Sequence, residues 1–327
     1  MDGLRMPRHI ARRFVLILPL FLASTALAQP PSTRPAVWMG PPAYDNGRLF
    51  RELFEHPDQW NQTRSLIDVL CYTDLNLKKQ FTDDELTNWF AQMQQWHLRL
   101  GMEVGSIKPW GATGQKTFDI ERPMWDRVQR LGGNVYAIAM DEPLCCCRKD
   151  LHQPDDYAVE QTAQYIALVR KNYPQFLVAD IEPYPYIPLA DQIAWIDALQ
   201  KRLADLHVRG LDFFRLDVNW IEFTVFDRGS WPEVRKLERY CRSKKIPFSL
   251  IYWASGYPGL EKRKLADDST WYTGIMQQGY DYAIVDGRPD QYVIESWLQD
   301  APTRSVPEDE EFTFTHSVRD FCRKFVK

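Results

Sequence analysis

The sequence predicts an α/β protein built as a single (β/α)8 TIM barrel. Two observations carry that prediction. Short apolar runs rich in β-branched and aromatic residues alternate with longer stretches of helical period, the pattern of βαβ units on a parallel sheet. Eight such runs fit within the 327 residues, and no Gly/Ser-rich linker divides them. At roughly 150 residues per domain the length also allows two domains. A closed barrel of about 250 residues fits better, with room for a leader and long loops. A doubly wound open sheet is the structural alternative. It lacks support, because no strand is followed by a G-x-G-x-x-G or G-x-x-x-x-G-K-[ST] turn, and Gly111 and Gly114 complete neither. No nucleotide cofactor is therefore expected.

The strands are expected at Ala36–Gly40, Leu66–Tyr72, Met102–Ile107, Val135–Met140, Phe176–Ile181, Phe213–Val218, Phe248–Trp253 and Tyr292–Trp297. Thr82-Asp83-Asp84-Glu85 is a capping box that opens a helix running to about Leu100, with Gly101 as its stop. Pro123 to Leu131 reads as a helix closed by Gly132-Gly133. Asp155–Asn172, Ala190–Leu206 and Trp231–Lys244 follow, the last with Pro232 in its first turn, where a missing N–H costs little. Tyr282 to Val285 has the composition of a strand. However, Trp271, Ile275, Gln278, Tyr282 and Val285 share one helical face, so Asp268 to Asp286 reads as the seventh helix.

Residues 1–28 read as a secretory signal. Arg5, Arg8, Arg12 and Arg13 precede an apolar core from Phe14 to Leu22, and Ala26-Leu27-Ala28 offers small residues for cleavage. The core is short for a membrane span. The expectation is a secreted or periplasmic barrel of residues 29–327 with no stable membrane insertion. That mature chain carries 36 basic and 43 acidic residues, a net charge of −7. Such a balance disfavours nucleic acid and other polyanions as partners. Export permits disulfides among the six cysteines, but spacing cannot choose among the pairings. Cys145-Cys146-Cys147 followed by His152 invites a metal reading, yet adjacent cysteines converge poorly on one ion. Disulfides or idle thiols remain, and no metal is expected.

In a barrel the active site lies at the C-terminal ends of the strands. Those ends carry Tyr72-Thr73-Asp74, Glu103 with Lys108-Pro109-Trp110, Asp141-Glu142-Pro143, Asp180 to Tyr184, Arg215 to Trp220, Tyr252-Trp253 and Glu295-Ser296-Trp297. Alternation on the sixth strand turns Phe214, Leu216 and Val218 to the helices and Arg215, Asp217 and Asn219 inward. The same reading of the fifth strand turns Leu177, Ala179 and Ile181 out and Asp180 and Glu182 in. Clustered carboxyls repel one another, which raises some pKa values toward what a general acid needs. Glu142, Glu182 and Asp217 are the catalytic candidates. Asp180 and Arg215 are either a structural ion pair or part of the site, and Asp141 either caps the loop or orients Glu142. Glu103 sits deeper and suits hydrogen bonding.

Aromatic residues fall at the same places: Trp110, Tyr184, Tyr186, Trp220, Trp253 and Trp297 follow or end strands, while Trp89, Trp125 and Trp195 lie in helices. Aromatic faces pack on sugar rings, and nearby carboxylates, Asn and Arg bind hydroxyls. The expected substrate-binding set is Asp74, Glu103, Trp110, Asp141, Asp180, Arg215, Asn219, Trp220, Tyr252, Trp253, Glu295 and Trp297.

With these residues in place, the chain resembles secreted barrel glycoside hydrolases. Met140-Asp141-Glu142-Pro143 resembles the Asn-Glu-Pro ending of the fourth strand in the large retaining clan. That resemblance implies Glu142 as acid/base, with Asp141 in the place of the Asn. The clan's nucleophilic Glu at the seventh strand has no counterpart in Tyr252-Trp253-Ala254-Ser255-Gly256. The chain is more similar to a group of exported barrel proteins of unassigned activity. They share Asp-Glu-Pro-Leu (141 to 144), Asp-Ile-Glu-Pro (180 to 183), Asp217 and Ser296-Trp297. This likeness covers most of the mature chain and implies the fold more firmly than an activity.

Three functions follow as expectations. The first is hydrolysis of a glycan, with Glu142 as acid and Glu182 or Asp217 as nucleophile or base. A non-catalytic carbohydrate-binding barrel is the second. The third is a metal-dependent hydrolase on Asp74, Asp141 and Asp180, disfavoured because none of the six His falls in a strand-end motif.

Overall fold

The computed structural model describes residues 34–254, 267–298 and 301–327. The expected signal peptide lies outside them, as do Ser255 and Gly256. The strands are β1 (Ala36–Gly40), β2 (Val69–Thr73), β3 (Arg99–Val104), β4 (Val135–Asp141), β5 (Leu177–Tyr184), β6 (Phe213–Val218), β7 (Phe248–Tyr252) and β8 (Gln291–Glu295). All neighbours pair in parallel, and β8 closes on β1, with Trp38 opposite Val293 and Gly40 opposite Glu295. The fold is therefore the expected closed (β/α)8 barrel.

The helices among the described residues are α1 (Arg48–Glu55), α2 (Asn61–Arg64), α3 (Asp74–Gln80), α4 (Asp83–Gln95), α5 (Gly114–Arg130), α6 (Pro143–Lys149), α7 (Asp155–Asn172), α8 (Leu189–Asp205), α9 (Trp220–Phe226), α10 (Trp231–Ser243), α11 (Asp268–Ile284) and α12 (Phe314–Phe325). The Thr82–Glu85 capping box is formed in both directions. Tyr282 lies in α11, as its helical face predicted.

β2 starts three residues later than expected, at Val69, β5 runs three residues further, to Tyr184, and β8 stops two residues short, at Glu295. Two helix boundaries differ for local reasons. α4 stops at Gln95 instead of near Leu100, so β3 starts at Arg99, three residues before its predicted beginning. His97 takes a φ of +58°, and Leu98 N–H returns to Met93 C=O at 2.9 Å. That is a Schellman ending built on histidine. α8, α10 and α11 end the same way on His207, Lys245 and Asp286, and among the described residues only α5 does so on a glycine, Gly132. The second difference is the start of α5. Pro123 lies inside this helix, which begins nine residues earlier, where the Thr113 side chain accepts from Lys116 N–H. A proline in a first turn and one that interrupts a longer helix look alike in sequence.

Side chains pack on both faces of the sheet. Trp38, Val69, Ala137, Ala179, Ile181, Phe213, Ile251 and Val293 fill the lumen. The larger cluster lies between sheet and helices and takes in Leu70, Ile138, Leu216, Leu250 and Ile294, with Trp125 and Trp195 from the helices. β6 faces as alternation predicted, with Arg215 and Asp217 inward. β5 faces the other way. Ala179 and Ile181 point into the lumen, while Asp180 and Glu182 are buried in the helix layer.

Candidate active site

The C-terminal mouth of the barrel holds two adjoining cavities. The inner one, about 370 Å³, is lined by Glu103 of β3, Asp141 of β4, Arg215 and Asp217 of β6, and Glu295 of β8, with Trp297 at its rim. The outer one, about 440 Å³, is lined by Lys149, Tyr184, Tyr186, Asn219, Glu222 and Arg228. Three residues border both cavities: Glu142, Asp217 and Trp253. These three form the junction.

Glu142 follows the last residue of β4 and precedes Pro143, the first of α6. Its backbone is left-handed, φ +52° and ψ +49°. A residue with a Cβ is held there at a cost of about 1–2 kcal/mol, and such strain gathers at functional sites. Glu142 N–H donates to Ile181 C=O at 3.0 Å, and its own C=O accepts from Cys146 N–H at 2.9 Å. Burial raises the Glu142 pKa, and the charge of Asp141 raises it further against the pull of Lys108. Asp141 itself meets Lys108 Nζ at 2.7 Å. Burial works against the charge on Lys108, but Asp141 and the Cys146 thiol, 2.9 Å away, hold its pKa up.

Asp217 is held by one defined donor. Trp253 Nε1–H donates to Asp217 Oδ1 at 2.6 Å. Burial and then the charge of Glu142 push the Asp217 pKa well up, and the indole donor opposes them. Trp253 and Trp297 pack with ring centroids 4.2 Å apart.

Deeper in the lumen, the Arg215 guanidinium lies 4.3 Å above the Trp38 ring and donates from Nε to Ser249 Oγ at 3.0 Å. Burial lowers its pKa, and Glu295 is the strongest influence opposing that. Glu103 and Glu295 are both raised, each by burial first. Gly40 makes room beside them, since a Cβ there would sit 2.8 Å from Cys71 Sγ and 3.0 Å from Glu295 Cβ.

Several expected site residues lie elsewhere. Asp180 is buried behind the sheet, where Trp195 Nε1–H donates to it at 2.6 Å. It cannot pair with Arg215, which projects from the opposite face. Glu182, also behind the sheet, accepts from Leu144 N–H at 2.6 Å and Cys145 N–H at 3.1 Å. It holds the first turn of α6 and so fixes the backbone beside Glu142. Asp74 opens α3 and is buried; its charge acts on Glu121 of α5 and Tyr165 of α7. Asp74, Asp141 and Asp180 therefore cannot share one ion. Tyr252 turns away from the lumen onto Tyr292 and Phe321. Trp220 packs against the helix-layer core, and Trp110 is exposed beside Gly105; neither borders the two cavities. Asn219 borders the outer cavity, where its side chain also caps α9. All six cysteines are buried free thiols.

The functional neighbours outside the sequence-derived candidate sets are Lys108, Lys149 and Arg228. Lys108 stood next to a strand end, directly before Pro109. Lys149 and Arg228 lie on or after short helices, α6 and α9, that carry no amphipathic signal long enough to read.

The chain matches no protein-family model, and no curated protein matches it. Among solved structures, a xylose isomerase domain containing protein from Salmonella typhimurium LT2 is 9% identical, over 88% of this chain and 95% of that one, with a TM-score of 0.47. A xylose isomerase-like TIM barrel/4-hydroxyphenylpyruvate dioxygenase fusion protein is 11% identical, over 89% of this chain and 42% of that one, at 0.48. An HpcH/HpaI aldolase from Desulfitobacterium hafniense DCB-2 is 8% identical, over 80% and 87%, at 0.40. These are likenesses of a barrel to barrels, and they add nothing to what the strand pairing already shows.

Proposed function

We propose that this protein hydrolyses a glycosidic bond, with Glu142 as general acid and Asp217 as its partner base. The observation that carries this reading is the junction. The two carboxyl residues border both cavities, so a bond lying across the boundary has one sugar in each and a carboxyl on either side. The tryptophan pair beside them offers an apolar face to a ring.

The two carboxyls repel, so they share protons as a unit. The Trp253 N–H favours the charged form of Asp217, whereas Asp141 disfavours the charged form of Glu142. Burial and Glu142 nonetheless hold the Asp217 pKa well up, so it is the place of Glu142 at the tip of β4 that assigns it the transferable proton. Glu142 gives it to the leaving oxygen as the bond breaks, and Asp217 takes one from the attacking water. β5 stands between β4 and β6, which places their backbones about 9–10 Å apart at ordinary strand spacing. That favours the inverting arrangement, whose carboxyls are about 6.5–9.5 Å apart. Glu182 holds α6 and does not touch the substrate. The proposal includes export, on the strength of the Arg-rich leader and its Ala-Leu-Ala end.

The test is turnover of a glycan panel by wild type and Glu142→Gln, read as released reducing ends, with the product anomer followed by NMR. Loss of at least about 100-fold is expected from removing a general acid. Near-full turnover in a folded Glu142→Gln protein overturns the assignment. Sugar binding without bond cleavage by wild type across the panel would make the barrel a binding module.

A further inference from the structure

The inner cavity is crowded with acid. Glu103, Asp141, Glu142, Asp217 and Glu295 all border it, and Arg215 is the only cation that does so among the described residues. Lys108 approaches from the side to pair with Asp141. Two of the carboxyls, Glu142 and Asp217, are taken by the proposed chemistry. Glu103 and Glu295 remain, facing one guanidinium.

Two residues that line this cavity each carry a buried polar atom with no hydrogen-bond partner. Glu295 is only 8% exposed, and its Oε1 accepts no hydrogen bond; its Oε2 has only the weak Cys71 thiol, at 3.7 Å. Arg215 is 2% exposed, and its Nη2 donates none. A buried polar group left under-satisfied costs free energy, so a ligand that pairs with either side chain from the cavity gains more than it would from water. One of the two is an anionic acceptor and the other a cationic donor. They project from β8 and β6, on either side of β7, and each is the strongest charged influence on the other.

We infer that the inner cavity takes a sugar bearing a free amine beside a hydroxyl, the ammonium donating to Glu295 and the hydroxyl accepting from Arg215. This rests on the reading of the site as a sugar site and names its substrate class. A neutral sugar can satisfy the same two atoms with hydroxyls, but it leaves the surplus negative charge uncompensated. An N-acetylated sugar loses the charge and adds bulk at the nitrogen. A uronate brings a further anion among five carboxyls. The ammonium alone supplies both the missing donor and the missing charge, and charge-assisted hydrogen bonds are the stronger kind. In the empty cavity burial raises the pKa of both Glu103 and Glu295, so an amine binds better as pH rises and they ionise.

The experiment is equilibrium binding of single sugars to the full-length protein, followed by the fluorescence of the tryptophans and by calorimetry. The probes are glucosamine and galactosamine against glucose, galactose and N-acetylglucosamine. At pH 7 the better amino sugar is expected to bind at least about tenfold more tightly than its neutral counterpart, the size of one charge-assisted bond over a neutral one. Glu295→Gln is expected to erase that preference, and the wild-type preference should shrink at pH 5. Equal affinities at pH 7, or preference for the neutral or N-acetylated sugar, overturn the inference, and that comparison needs no variant to fold. Because it reads binding alone, its failure leaves Glu142 as an acid intact, while an active Glu142→Gln protein leaves the amine preference intact.

Discussion

Trp253 joins the two cavities through a single bond: its indole N–H donates to Asp217 Oδ1 at 2.6 Å. The same residue that packs against Trp297 thereby sets the ionisation of the proposed base. Burial and Glu142 disfavour the Asp217 carboxylate, and this donor is what opposes them. Trp253→Phe keeps most of the ring and removes the donor. The Asp217 pKa should then rise further, which moves the acid limb of the kcat/KM profile to higher pH. Turnover at neutral pH should fall roughly 10–100-fold, since a bond to a charged group contributes about 1.5–3 kcal/mol. A pH–rate profile on the most active glycan checks both. An unshifted acid limb would mean that Asp217 is not the group that titrates.

The left-handed backbone at Glu142 makes a separate prediction about stability. Glycine adopts φ near +50° without steric cost, whereas Glu142 is strained there and adds a buried carboxyl to an acidic cluster. Glu142→Gly should abolish turnover and stabilise the fold by about 1 kcal/mol, the strain relieved being offset in part by glycine's greater unfolded-state freedom. Thermal melting at pH 7 beside Glu142→Gln separates the two contributions, because only the glycine variant relieves the backbone. A glycine variant that melts below Glu142→Gln would show that the local structure relies on the side chain.

These two residues were legible in the sequence because position alone identifies them: the tip of β4 and the end of β7. Facing was harder. Alternation along β5 divides Ala179 and Ile181 from Asp180 and Glu182, but it does not say which set points inward, because a barrel strand is buried on both sides. On β6 the apolar set faces the helices and on β5 the acidic set does. The difference lies in partners that no local pattern reveals: Trp195 on α8 for Asp180 and the N–H groups of α6 for Glu182. Asp74 and Trp110 were misplaced for a related reason, since a residue just past a strand can turn over the mouth or back under the helices. The helix end hidden in His97 shifted the start of β3 without disturbing the count of strands.

The cysteines make the next prediction. All six are buried as free thiols, and burial pushes the pKa of Cys241 and Cys322 to about 12. Neither the thiolate nor access needed for reaction is available in the folded state. A thiol reagent such as Ellman's should therefore count close to none of the six in native protein and all six after denaturation, and reductant should leave the melting temperature unchanged. Fewer than six thiols after non-reducing denaturation would reveal a disulfide and revise the packing around Cys145 to Cys147.

Behind the barrel, Asp74 gives the stability of the fold a pH dependence that does not pass through the active site. Burial lifts its pKa from 3.8 to about 7, and Glu121, which faces it while accepting from Tyr165 and Ser106 N–H, is raised as well. A carboxyl with a raised folded-state pKa binds its proton more tightly in the folded chain than in the unfolded one. Its contribution is therefore fully present below about pH 4 and is lost as pH rises through about 7. Exposed carboxylates held down by arginines, such as Asp83 beside Arg127 and Arg130, act with the opposite sign at lower pH, so the total curve mixes the two. Asp74→Asn isolates one of them, because the amide resembles the neutral acid at every pH. Melting temperatures of wild type and Asp74→Asn, taken from pH 4.5 to 8.5, should lie closest at the acid end. They should separate as pH rises, the wild type losing stability that the variant keeps. Parallel curves would mean that Asp74 is charged in the folded protein throughout this range, with Glu121 alone carrying the shared proton.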